Sequence, residues 1–235
     1  MLLAALTFAG LTLGMPAGDL RPSFGDPLRI LTFQDGGRRA ARYLSPDSSG
    51  LIVVIEERGY VQGVGIFAVT KGGDPSKIFP ADPNGVVLGD TIQTVESRRL
   101  DARKQTDDKG AVTIVGKLSP EAGYSYEFKD GKVASIYWGV PVPKGAPDLP
   151  ALTEPDGGSP AGAITIVQNS EMTGVQWEYR FLAFHPCDGD TGWKLQQQSI
   201  VRDGTRSFDR LHVICPTTKA ERDYYFDITS YFGKL

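Results

Sequence analysis

A short motif that occurs twice constrains this chain more than any other feature. Gly25-Asp26 is followed by Pro27, Leu28, Ile30 and Leu31, and Gly89-Asp90 is followed by Ile92 and Val95. A hairpin-like stretch comes after each copy, over 53–61 and then over 124–136. Aligning Gly59 with Gly131 sets Val61 on Val133 and Val64 on Ile136. Duplicated units of one short helix plus an antiparallel hairpin predict an α+β fold in which the units form a single sheet. A continuous sheet surface of that kind more often binds than catalyses.

Within each copy the pattern predicts a helix after the Gly-Asp pair. Asp90 stands where a cap is needed, with Gln93 three residues on to complete a capping box. Ile92 and Val95 then share a face, and Arg98 and Arg99 fall at the favourable end of the helix dipole. In the first copy Asp26 is the expected cap and Pro27 takes the first helical position, where a missing N–H costs nothing. Strands are expected over 51–55 and 61–69. Lys129-Asp130-Gly131-Lys132 reads as a hairpin turn, because Tyr124, Tyr126 and Phe128 alternate before it and Val133 and Ile136 follow it.

Residues 141–162 are rich in proline and glycine, and the recurrent prolines favour extended geometry and remove backbone donors, so the segment reads as a linker, with a long ordered loop crossing a single domain as the alternative. They separate a duplicated region, 20–140, from a mostly antiparallel β region, 163–235. In the latter, Val175, Trp177, Tyr179, Phe181 and Ala183 lie on one face of a period-two pattern, which predicts a strand. Further strands are expected over 193–201, 208–215 and 224–232, with a turn at Arg202-Asp203-Gly204-Thr205.

With 25 basic against 28 acidic residues in 235, the chain has no cationic field to hold a phosphate backbone, so nucleic acid is not an expected partner. The first seventeen residues carry no charged side chain, and 2–13 is a largely apolar run. This reads as a secretory signal peptide cleaved after Ala17, with an uncleaved membrane anchor or a misplaced start as alternatives. No Cys follows the run, which closes the lipoprotein route. The expected destination is periplasmic or extracellular, as a monomer with no membrane span after processing.

Two His and two Cys fall in pairs, His185-Pro186-Cys187 and His212-Val213-Ile214-Cys215. On an extended strand His212 and Cys215 point to opposite faces, which argues against a zinc site formed by His185, Cys187, His212 and Cys215. Cys215 shares a face with Leu211 and Val213, and an oxidising compartment favours a Cys187–Cys215 disulfide. Free buried thiols and the metal site remain the alternatives. His185 reads as a strand-end residue and His212 as a cross-strand hydrogen-bonding one. Asp188-Gly189-Asp190-Thr191-Gly192 reads as a polar turn, since it lacks the later ligands of a calcium loop. No nucleophile elbow, phosphate loop or dinucleotide fingerprint is present. No cofactor is expected.

The paired Gly-Asp, the short helix and an aromatic strand ending Lys-Asp-Gly-Lys-Val-x-x-Ile resemble the repeat units of the β-lactamase-inhibitor-protein-like and SmpA/OmlA-like superfamily of bacterial envelope proteins. The resemblance covers about residues 25–138. It implies helix-plus-sheet modules that bind other proteins and perform no chemistry. The chain departs from that group in having no lipobox Cys, and in a long charged loop over 100–116 where a second helix would stand.

The leading expectation is an exported, non-catalytic protein that binds a protein or cell-envelope partner on its sheet face. Tyr124, Tyr126, Tyr137 and Trp138 are its candidate contacts, since Tyr and Trp dominate interface energetics. The competing reading of those four is that they are core, as alternating aromatics in strands commonly are. Two alternatives for the whole protein stand beside this expectation. One is a secreted hydrolase using Asp188, Asp190, Asp227 or Glu178 in a cleft between the two regions; the other is a structural envelope component.

Overall fold

Alternation of large apolar with small or polar residues recurs along the chain, and the computed structural model turns much of it into antiparallel β structure. It describes residues 7–45, 48–69, 74–77, 79–98, 100–119, 122–142 and 144–234. Two compact units emerge. The first draws on the described residues of Met1–Asp19, Leu31–Ala41 and Ser49–Leu152, and the second on those of Leu20–Ile30, Arg42–Ser48 and Thr153–Leu235.

In chain order come a small hairpin, β1 (Thr7–Phe8) and β2 (Leu11–Thr12), and a single helical turn, α1 (Arg21–Phe24). Four strands follow, β3 (Arg29–Thr32), β4 (Arg38–Leu44), β5 (Gly50–Glu57) and β6 (Tyr60–Ala68). Helix α2 (Ile92–Ser97) leads into β7 (Ala102–Thr106), β8 (Val112–Lys117), β9 (Gly123–Lys129) and β10 (Lys132–Gly139). These eight strands make one sheet in the order β3-β4-β5-β6-β10-β9-β8-β7, two four-strand meanders that meet where β6 and β10 pair antiparallel. The two central hairpins turn alike, through Arg58-Gly59 and Asp130-Gly131, all four with positive φ. That is the two-residue turn whose twist matches paired strands.

Register sets the two faces of this sheet. Ile136 pairs with Tyr126 and Ile66, and Trp138 with Tyr124 and Val64; all six are buried, each stabilising by about 2 kcal/mol on transfer from water. The charged stretch expected to be a loop over 100–116 is instead the β7–β8 hairpin, because Val112 and Ile114 alternate on β8 and pair across to β7.

The first unit also takes in part of the expected signal segment. Residues 1–6 lie outside the described residues, but Leu11, Leu13 and Ala17 are buried. The Gly14 N–H donates to Val61 O at 2.7 Å, the Val61 N–H to Met15 O at 2.9 Å and the Ala17 N–H to Gly59 O at 2.8 Å. A cut after Ala17 would therefore remove a strip of this unit's core.

The second unit holds β11 (Ile164–Thr165), helix α3 (Glu171–Phe184), β12 (Lys194–Asp203), β13 (Arg206–Ile214) and β14 (Glu221–Asp227). Its sheet runs β11-β14-β13-β12. The strand expected through Val175 to Ala183 is helix α3. Trp177 and Phe181, whose rings stack at 5.6 Å, satisfy a period of four as well as a period of two, whereas Tyr179 and Ala183 are exposed and fail the alternation. The deciding signal is local: the Ser170 hydroxyl accepts the Thr173 N–H while the Thr173 hydroxyl reaches back to the Ser170 N–H, a closed capping box.

The Gly-Asp pairs also act otherwise than expected. α1 lies before Gly25 and no helix follows it; Ile30 and Leu31 belong to β3. Asp26 spends its carboxylate on the Thr165 N–H at 2.7 Å and on Arg21 at 3.1 Å, and a Cβ on Gly25 would meet Thr165 O at 2.4 Å. The pair is a corner that docks β11. At the second copy the cap is Thr91, one residue later than Asp90, with its hydroxyl taking the Thr94 N–H at 3.1 Å. Asp90 instead accepts the Val87 N–H at 3.1 Å and faces Arg98 at 3.3 Å. Arg99 lies outside the described residues.

The expected linker lacks regular structure yet is fastened along its length. In the first unit the Leu149 N–H donates to Arg58 O at 3.0 Å and the Tyr60 hydroxyl to Pro147 O at 3.1 Å. In the second, the Tyr225 N–H donates to Gly157 O at 2.8 Å, and Glu154 accepts the Ile30 N–H and faces His185 at 3.1 Å.

Candidate binding face

Strand parity sorts the four candidate aromatics in two ways. Tyr124, Tyr126 and Trp138 point into the core and are 5%, 0% and 1% exposed, so they are not a contact surface. Tyr124 stacks on Trp138 at 4.9 Å. Around them closes a polar anchor that the sequence reading missed. Asp82, 4% exposed, accepts the Tyr126 hydroxyl at 2.7 Å, the Trp138 indole N–H at 3.0 Å and the backbone N–H groups of Asn84 and Val86 at 2.9 and 2.7 Å. Burial, reinforced by the bond to Asp82, raises the Tyr126 phenol far above its ordinary value and keeps it a donor. Asp82-Pro83-Asn84-Gly85 is a strong turn sequence, and an Asx-type turn is the signal that could have singled out Asp82.

Tyr137 alone points the other way. Its register partners are Ser125 on β9 and Gly65 on β6, and Gly63 pairs with Gly139 beside them. A Cβ at Gly63 would lie 2.3 Å from the Tyr137 hydroxyl, and one at Gly139 2.8 Å from it. The ring therefore lies flat across a floor that glycine alone can provide. Burial raises its phenol, with Arg38 pulling the other way. A cavity of about 500 Å³ opens here, lined by Tyr137 together with Arg38, Gln62, Thr113, Lys117 and Ser125 among others. Arg38 is held at its mouth by Asp35 at 2.7 Å and by the Phe33 ring at 5.1 Å.

In the second unit Cys187 and Cys215 are joined as a disulfide with Cα atoms 5.6 Å apart. With both sulfurs bonded to each other, the four-ligand alternative has no thiolates. His185 is the residue that ends helix α3 rather than a strand, stacked on Phe181 at 4.0 Å, with Nδ1 against Phe181 O at 2.9 Å. His212 is cross-strand bonded, its Nδ1 2.9 Å from the Asp223 carboxylate opposite it. The Arg210 guanidinium beside Asp223 holds that carboxyl below the usual range.

The four acidic candidates do not converge. Asp188 and Asp190 lie in a tight turn closed by the Thr191 N–H to Asp188 O bond at 2.8 Å. Burial pushes the Asp227 carboxyl up, but Thr229 and Arg206 outweigh it and leave it lowered. Glu178 is fully buried on helix α3, with its Oε1 accepting the Tyr231 hydroxyl at 2.8 Å.

No family model matches the sequence, and no curated protein matches it. Among solved structures the chain is similar to a cysteine-rich secretory protein from Staphylococcus aureus subsp. aureus Mu50, at 13% identity and a TM-score of 0.37, over 66% of this chain and 55% of that one. Among the described residues no helix is long and apolar enough to cross a membrane.

Proposed function

We propose that this is an exported, non-catalytic binding protein that engages a protein or envelope partner through the outer face of its eight-stranded sheet. The observation that carries the reading is Tyr137, laid flat over Gly63 and Gly139 at the floor of a cavity with Arg38 and Lys117 at hand. A rigid aromatic presented with few conformations to lose is the type of residue that anchors an interface. Lys117 in the lining, beside Arg38 with its Asp35 partner, favours a partner that offers an acidic loop. Export is supported by the Cys187–Cys215 bridge, which persists in oxidising compartments. We further read the two meanders as copies of one unit, a reading supported by their matching turns at Arg58-Gly59 and Asp130-Gly131.

The test places a photoreactive benzoyl-phenylalanine at position 137 of the protein in its own host. Irradiation is expected to give one discrete adduct that disappears when Arg38→Glu and Lys117→Glu are added. Labelling no stronger than at an exposed control position such as Lys219 would sink the reading.

A further inference from the structure

The second unit buries two carboxyl groups against each other. Glu178 on helix α3 is 0% exposed and Asp209 on β13 is 3% exposed, and they lie within hydrogen-bonding reach of one another. One oxygen of each is accounted for: Glu178 Oε1 takes the Tyr231 hydroxyl at 2.8 Å, and Asp209 Oδ2 takes the Gln198 side-chain amide. The other two, Glu178 Oε2 and Asp209 Oδ1, are buried with no donor among the described residues. Two ionised carboxylates cannot meet in that way, because burial and mutual repulsion both disfavour the second charge. A single proton placed between the orphaned oxygens removes one charge and makes the missing hydrogen bond.

We propose that Glu178 and Asp209 share one buried proton and act as a pH-sensitive latch between helix α3 and β13, closed in acidic and neutral solution and released in alkali. Other groups leave the pair to itself. Tyr231 supplies a neutral hydroxyl, Asp227 is neutralised by Arg206 at 2.8 Å, and among the described residues no lysine or arginine bonds to either carboxyl. Burial, then the Asp209 charge, pushes the Glu178 carboxyl up to about 9 from an ordinary 4.5, and burial raises Asp209 as well. A raised carboxyl binds its proton in the folded state where the unfolded chain has lost it. Stability is therefore fully present below the ordinary value and is lost as pH climbs toward 9.

The test is urea unfolding of the full chain across that window, wild type against Glu178→Gln. Glutamine keeps the acceptor for Tyr231 and supplies the donor to Asp209 permanently. The wild-type folding constant, relative to the variant's, is expected to fall about tenfold per pH unit. Equal pH slopes in the two proteins would overturn the latch. A second measurement needs no variant to fold: the infrared spectrum of the wild-type protein at neutral pH should contain the carbonyl stretch of a protonated carboxylic acid. Carboxylate bands alone would also overturn the proposal.

Discussion

Asp82 in the first unit and the Glu178–Asp209 pair in the second are all buried carboxyl groups, and they are accommodated by opposite means. In the first, Asp82 is met by four donors, the Tyr126 hydroxyl, the Trp138 indole and two backbone N–H groups. In the second, Glu178 and Asp209 have one side-chain donor each and are left with two orphaned oxygens. A buried charge is tolerated when enough dipoles point at it, and otherwise the group neutralises itself by holding a proton. The first solution fixes a loop to a sheet. The second makes helix packing depend on the solution outside.

Three changes would break or sharpen that contrast. The largest effect is expected from Asp82→Ala, which orphans the indole, the phenol and two backbone donors at once. A loss of about 4 kcal/mol, by denaturant titration, follows from about 1–3 kcal/mol for each buried group left unpaired. A loss below about 1 kcal/mol would mean that water replaces the carboxylate and that the anchor is not structural.

Next comes the bridge. Cys187 and Cys215 are 28 residues apart, so opening the disulfide should cost the second unit about 3.5 kcal/mol in the chain-entropy model. The bridge ties the segment after helix α3 to the residue after β13, the elements that the carboxyl pair also joins. Reduction is therefore expected to lower the alkaline pH at which circular dichroism shows the unit unfolding. An unchanged alkaline midpoint after reduction would separate the two devices.

The smallest effect is expected at the outer face. Gly63→Ala places a methyl 2.3 Å from the Tyr137 hydroxyl, at the far end of a side chain that can swing away. A cost of about 1 kcal/mol and a Tyr137 ring freed from its floor, seen as narrowed ring resonances by NMR, are expected. Loss of the whole sheet fold would show that Tyr137 is core rather than platform.

Much of the fold was legible, and the misses have specific causes. Lys129-Asp130-Gly131-Lys132 announced its hairpin because turn chemistry is local, and the parity of Cys215 with Leu211 and Val213 pointed to the disulfide. Helix α3 was misread because Trp177 and Phe181, four apart, satisfy both periods; the Ser170–Thr173 capping box was the better signal. Gly25-Asp26 was misread because an aspartate before a proline looks like a cap whether its partner is three residues away or, like Thr165, 139. Of the candidate face, Tyr137 was named with three neighbours that the structure buries, and its glycine floor was not seen, since Gly63 and Gly139 come together only in the β6–β10 pairing.

The sequence by itself determined the strands β5, β6, β9, β10, β12 and β13, the turn at Lys129–Lys132 and the cysteine pair, because each depends on neighbours within a few residues or on residue chemistry alone. Only the tertiary structure decided which carboxylates meet donors and which meet each other. Asp82 and Trp138 are 56 residues apart and Glu178 and Asp209 are 31. The environment that sets a buried group's charge is made by register and packing, which no local pattern of residues encodes.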